Sequence, residues 1–187
     1  MRLFILCCLF LWSVPANAQE IAGVMVQETL KNDDGTVMHL NGAGIRSKFF
    51  FDIYIAELYM EHPSNVAGEV INGGGRKRIT MQFLYDEVGK DKLIEGWNEG
   101  FTGNTSAAEI ATLQARINQF NSMFVDVKKG DLIVLDFVPD QGTFVTIAKQ
   151  EKGVIPGKDF NDALLRIWLG DKPVDKGLKE KMLSYNK

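Results

Sequence analysis

Residues 49–60, Phe-Phe-Phe-Asp-Ile-Tyr-Ile-Ala-Glu-Leu-Tyr-Met, leave a chain little choice of fold. A pleated strand turns alternate side chains to opposite faces. Phe49, Phe51, Ile53, Ile55, Glu57 and Tyr59 therefore share one face, and Phe50, Asp52, Tyr54, Ala56, Leu58 and Met60 share the other. Both sets are mostly apolar, so the strand belongs in the interior of a sheet, between packed layers.

The rest of the chain supplies material for those layers. "GVMVQETL" and "TVMHLN" flank the turn cluster "KNDDG" and predict a β-hairpin, because Asp-Gly tolerates the positive φ angles of tight turns. "GAG" at 42–44 predicts a bend that feeds the long strand. A short helix is expected over 64–71 with Ser64 as its cap. After "NGGG", Ile79, Met81, Phe83 and Tyr85 alternate with Arg78, Thr80, Gln82 and Leu84, the pattern of a half-buried strand. Val88, Leu93, Trp97 and Phe101 mark one helix; Ile110, Leu113, Ile117, Phe120 and Phe124 mark a second at spacings of three and four. Ser106 and Glu109 suit a capping box at the start of the second. "DLIVLDFVP" and "TFVTIAKQ" predict a hairpin around "DQG", "GVIP" adds an extended piece, and helices follow over 159–169 and from 174 to about 184, separated by "GDKP". Strands, helices, a hairpin and helices again make an α+β order. Nothing divides this stretch, so residues 19–187 are expected to form a single domain.

The first 18 residues stand apart. One basic residue, an apolar run from Leu3 to Val14 and the small-x-small Ala16-Asn17-Ala18 predict a cleavable signal segment over 1–18, hence an exported protein, periplasmic or secreted. The run is shorter than the roughly 20 residues a spanning helix needs, and no second run of that length follows, so no stable membrane span is expected. Cys7 and Cys8 lie within this segment without a small-residue lipobox, which leaves the mature chain without disulfides or thiol chemistry. Loss of Arg2 takes the formal net charge from −3 to −4, a mild acidity that argues against a nucleic-acid partner. Arg76-Lys77-Arg78, the densest basic run, reads as a solvated strand start.

Few residues offer chemistry. His39 and His62 have no carboxylate or second histidine at metal-ligand spacing, so no metal site is expected. "GAG" lacks the third glycine of a dinucleotide fingerprint and precedes a strand, and no phosphate loop or nucleophile elbow occurs, so no cofactor is expected either. What remains is Arg46, permanently charged and with a planar fork of donors suited to oxyanions. Buried beside the two-sided strand it needs an anion. Either Asp52 supplies it within the protein, or Arg46 and the Tyr54 hydroxyl converge on a pocket and hold the acidic head of an apolar ligand.

At "NGAGIRSKFFFDIYIAELYM" and "GVIPGKDFNDALLRIWLGDKPVDKGLKEKML" the chain resembles the chalcone isomerase family in its broad sense, in particular its bacterial chalcone isomerase-like proteins. The resemblance implies a large, mostly antiparallel sheet with helices packed on one face and a ligand cleft between them. In the plant enzymes an arginine after the Gly-x-Gly bend stabilises the charge that develops as a phenolate closes a ring; in fatty-acid-binding relatives the matching arginine holds a carboxylate. Arg46 matches that position. The other enzymatic positions differ: the strand threonine aligns with Tyr54, the helix tyrosine and asparagine fall near Val88 and Glu95, and the late-helix threonine aligns with Ile167.

One arginine without ordered polar partners suits anion binding better than ring closure, which needs donors placed where charge develops. The resemblance therefore implies a non-catalytic exported binder of a small apolar acid such as a fatty acid. Arg46 is its anchor, Tyr54 and Asp52 are polar neighbours, and Trp97, Phe101, Leu164 and Trp168 are candidate walls that compete with an ordinary place in the core. Two alternatives stand beside it: an isomerase or lyase with Tyr54 as acid, and an envelope protein-interaction module in which Arg46 pairs with Asp52.

Overall fold

The computed structural model describes residues 18–186. The expected signal segment therefore lies outside the described residues, except for Ala18. Two short strands, β1 (Ala18–Ile21) and β2 (Val24–Gln27), form a separate hairpin. They are followed by β3 (Thr29–Lys31), β4 (Val37–Lys48), β5 (Phe51–Met60), helix α1 (Ala67–Asn72) and β6 (Lys77–Phe83). Next come β7 (Glu87–Val88), α2 (Lys90–Asn104), α3 (Ala107–Ser122), β8 (Val127–Lys128), β9 (Leu132–Val138), β10 (Gly142–Ile147) and β11 (Gln150–Ile155). The chain closes with α4 (Lys158–Leu169) and α5 (Lys176–Met182).

The main sheet has seven strands in the order β11-β10-β9-β6-β5-β4-β3, and every neighbouring pair is antiparallel. The two-sided strand β5 is an interior strand, as its pattern demands. Tyr54, Ala56, Leu58 and Met60 share a core with Phe83, Met81 and Ile79 of β6, Ile133 and Leu135 of β9, and residues of all five helices. The opposite face of β5 is covered as well: Ile55 and Tyr59 are buried, and the Tyr59 hydroxyl donates to the Gln27 carbonyl of β2 at 2.9 Å. Between sheet and helices, Trp97, Phe101, Phe120, Phe124, Phe160 and Trp168 form a chain of edge-to-face and tilted ring contacts at 4.8–6.2 Å. Such pairs add about 0.5–1.5 kcal/mol each beyond area burial.

Four local expectations are corrected. Gly42-Ala43-Gly44 is not a bend but part of β4; its glycines are there because α5 packs onto the strand. A Cβ on Gly42 would lie 2.0 Å from the Lys181 carbonyl oxygen, and one on Gly44 would lie 2.8 Å from the Lys181 Cβ. The actual reversal is Phe49–Phe50, so β5 begins at Phe51. Ser64 does not cap α1: Val66 holds that position, while the Ser64 hydroxyl donates to Glu69 at 2.6 Å. Val88 belongs to β7 and not to the helix that follows.

The fourth correction concerns Arg76-Lys77-Arg78, which is not solvated. Lys77 faces the helices with 2% of its surface exposed and donates to the Ile71 carbonyl at 2.9 Å, closing the end of α1. Arg76 and Arg78 converge on Asp136 of β9, the register partner of Arg78 on the sheet face away from the helices. A run of three charges along a strand must send its middle member to the other side, and here both sides are covered.

Candidate functional site

Pairing of β4 with β5 puts Arg46 directly across from Tyr54, both on the helix-facing side. The close seating of α5 over Gly42 and Gly44 covers that half of β4. Two residues further on the strand runs clear of α5, and there the Arg46 side chain enters a cleft between the sheet and α2. The cleft has a volume of about 440 Å³, within the usual range for small-molecule sites of roughly 300–1,000 Å³. Its walls are Ile53, Tyr54, Phe83, Leu93, Trp97, Ile167 and Val174, with Lys48, Glu87, Lys92, Glu95 and Glu99 among its polar lining.

Arg46 is half-buried, and its guanidinium carbon lies 5.6 Å from the centre of the Tyr54 ring. Among the described residues, ion pairs join Arg76, Arg78, Arg116 and Arg166 to carboxylates, and Arg46 takes part in none. Its Nε is buried without an acceptor. The pairing with Asp52 does not form: Asp52 is exposed at the hairpin end, outside the cleft lining, and accepts a 2.7 Å hydrogen bond from Ser47. A shift in the β4–β5 register between Arg46 and Ser47 separates the two groups.

Tyr54 is buried, and its hydroxyl accepts from the Trp168 indole Nε1 at 3.1 Å. Burial pushes this phenol above its ordinary range, while the nearby Arg46 charge and the Trp168 hydrogen bond pull the other way. It stays protonated, with its O–H donating to no described residue. The indole Nε1 of Trp97, on a residue that lines the cleft, is a further buried donor without an acceptor. Arg46, Tyr54 and Trp97 thus bring donors without acceptors to the wall of one cleft, apolar within and charged at its rim. At the rim the polar groups balance each other: Lys92 and Glu95 pair at 2.7 Å, which raises the lysine and lowers the carboxyl.

The other candidates divide. Trp97 lines the cleft. Trp168 stands behind it, holding the Tyr54 hydroxyl and packing on Trp97 at 5.6 Å between ring centres. Phe101 and Leu164 are core residues outside the lining; Phe101 packs on Phe120 and Phe160. Val88, Glu95 and Ile167, the positions matched to the enzymatic polar set, all line the cleft. Ile53, Phe83, Leu93 and Val174 were not singled out from sequence. Phe83 was within reach, because it is the register partner of Tyr54 on a strand whose alternation is plain.

A family model described as chalcone isomerase-like matches residues 18–184. Among solved structures, a fatty-acid binding protein of Arabidopsis thaliana superposes with a TM-score of 0.68 at 14% sequence identity, covering 89% of this chain and 96% of that one. At that identity the likeness is one of fold. No curated protein matches by sequence.

Proposed function

The chain belongs to the chalcone isomerase-like family, and from that premise we propose that it is an exported, non-catalytic carrier of a small apolar carboxylic acid, a fatty acid being the class that fits. One observation carries this reading: Arg46 sits at an apolar cleft without a carboxylate partner, beside the free Tyr54 O–H. The solved relative of the same fold is a fatty-acid binding protein, which supports the ligand class. Export rests on the N-terminal pattern of residues 1–18.

In the proposed complex the carboxylate accepts from Arg46 and Tyr54, and the chain lies along Ile53, Phe83, Leu93 and Ile167. Charge-assisted hydrogen bonds contribute about 1.5–3 kcal/mol, and each buried methylene about 0.8 kcal/mol. Affinity is therefore expected to grow with chain length until the cleft is full, with the head group fixing orientation. Two of the positions that would carry the polar network of a ring-closing enzyme are aliphatic, Val88 and Ile167. A third, Glu95, is engaged by Lys92. A wall of that kind solvates an acyl chain and does not order a water.

Organic extraction of the purified mature protein followed by mass spectrometry is expected to release an apolar acid that Arg46→Ala no longer retains. If Arg46→Ala binds a fluorescent fatty acid as tightly as the parent protein does, the anchor is wrong and the reading goes with it.

A further inference from the structure

Three hairpins of this fold turn through two-residue loops: Ala22–Gly23 between Ile21 and Val24, Phe49–Phe50 between Lys48 and Phe51, and Ala148–Lys149 between Ile147 and Gln150. Each uses positive φ, at 48° for Ala22, 58° for Phe49 and 48° for Ala148. Such loops favour Asn and Gly, and a bulky residue in this region is a genuine outlier. At the other two loops both residues take positive φ, whereas at 49–50 only Phe49 does; alanine, glycine and lysine make those reversals, so a two-residue turn in this fold does not require aromatic rings. Those rings are 85% and 98% exposed, the two most exposed large apolar side chains among the described residues.

Their position ties them to the cleft. Phe49, Phe51 and Tyr85 line it, and Phe51 meets Tyr85 edge-on at 5.5 Å between ring centres. The knob of four rings therefore stands at the mouth beside Arg46. Around it the charges are mixed, Lys48 and Lys92 against Glu87, Glu95 and Glu99. The other large exposed apolar residues are spread along the chain: Met25 on β2, Val37 on β4, Phe144 on β10, and Val66 and Val125 in loops. Among the described residues the knob is thus the place where exposed apolar rings gather.

The geometry points to a lipid-bilayer surface as the partner of this knob: Phe49 and Phe50 insert at the interface, and the cleft opens directly against the hydrocarbon. Phenylalanine favours the acyl boundary beneath the headgroups, tyrosine such as Tyr85 the headgroup level itself, and a projecting two-residue tip needs no concave receptor. An apolar chain leaving the cleft at this mouth passes into lipid without crossing water. Because the rim carries both signs, docking runs on ring burial and not on attraction to anionic headgroups. Docking itself stands apart from the ligand; exchange of an acid at the docked mouth rests on the carrier reading.

Co-sedimentation of the mature protein with phosphatidylcholine vesicles tests this. Binding is expected, changing less than about twofold when salt is raised well past the screening of surface charges. Phe49→Gly with Phe50→Asn places glycine at the position of positive φ, so its melting temperature is expected to hold or rise while vesicle binding falls at least about tenfold. Phe50→Ser alone is expected to lower binding without disturbing the turn, and Phe49→Trp to give an emission blue shift on adding vesicles. Absence of binding by the parent protein, equal binding by the Gly-Asn variant, or binding abolished by salt overturns the inference, as does a knob-dependent dimer that ignores vesicles. Loss of docking with Arg46-dependent acid binding intact overturns this inference alone; docking without acid binding overturns only the carrier reading.

Discussion

The two faces of the sheet treat buried cations in opposite ways. On the face away from the helices, Arg76 grips Asp136 with two hydrogen bonds at 3.1 and 2.7 Å and reaches Asp34 at 2.8 Å. Arg78 adds a contact to the same Asp136 and one to Asn32 at 2.8 Å. The Arg78 Nε lacks an acceptor there too, but its head group is neutralised. On the helix-facing side Arg46 has no such partner. Lys77, between the two paired arginines in sequence, shows a third solution: burial pulls its ammonium down to about 8, with Asp162 opposing, and a backbone carbonyl takes its proton donor. Lysine can shed its charge; arginine cannot. A guanidinium left without a carboxylate at a cleft is the one that the proposed carrier reading assigns to an outside acid.

Removal of Asp136 should break the paired side most visibly. Asp136→Ala leaves Arg78 without a carboxylate and Arg76 with the exposed Asp34 alone, and is expected to cost about 1.5–3 kcal/mol, read as a clear drop in the denaturant midpoint. A small drop would mean that water already solvates that cluster. Arg46→Ala, by contrast, is expected to leave stability within about 1 kcal/mol while weakening acid binding by roughly 10–100-fold, equivalent to one lost charge-assisted contact. Arg46→Lys should retain part of that affinity, since it keeps the charge and loses the fork.

The lysine gives a signed pH test. Its folded-state value near 8 lies below the ordinary 10.5 of the unfolded chain, so the unfolded state binds more protons between those values. Stability should therefore rise from pH 8 towards 10, on the order of 1 kcal/mol. Above that, Tyr54 and Tyr59, both raised by burial, keep protons that the unfolded chain releases, and stability falls again. Urea midpoints measured across this range should lose their initial rise in Lys77→Met. The smallest effect belongs to the exposed rim: Lys92→Ala should leave the urea midpoint unmoved and change acid binding by less than about twofold. A larger change in binding would move the anchor from Arg46 to the mouth.

Much of this was legible before any coordinates. The double apolar pattern of 49–60 required an interior strand, and the stripes of Leu93, Trp97 and Phe101 and of Leu113, Ile117 and Phe120 required packed helices. Arg46 and Tyr54 fall together because strand pairing is nearly a local event, set by a two-residue turn. What stayed hidden depends on distant partners. A glycine that frees φ and a glycine that admits a neighbouring backbone are the same letter, and nothing near 42–44 announces the arrival of Lys181. Asp136 lies 60 residues from Arg76, so the ion pairs there left no local trace. Phe101 and Leu164 sit on the same stripes as Trp97 and Trp168. Which end of a stripe meets empty space and which meets other side chains is decided only by how the helices cross the sheet.

The seat that Gly42 and Gly44 provide for α5 also fixes when the site can exist. Arg46 and Tyr54 emerge early from a growing chain, yet the indole that holds the Tyr54 hydroxyl arrives 114 residues later, and the segment that lies over the glycines later still. Until that last helix docks, the half of β4 that carries the two glycines has no roof. Under the proposed reading, an acid therefore meets a complete site only once α4 and α5 have docked, so it acts on a fold already closed.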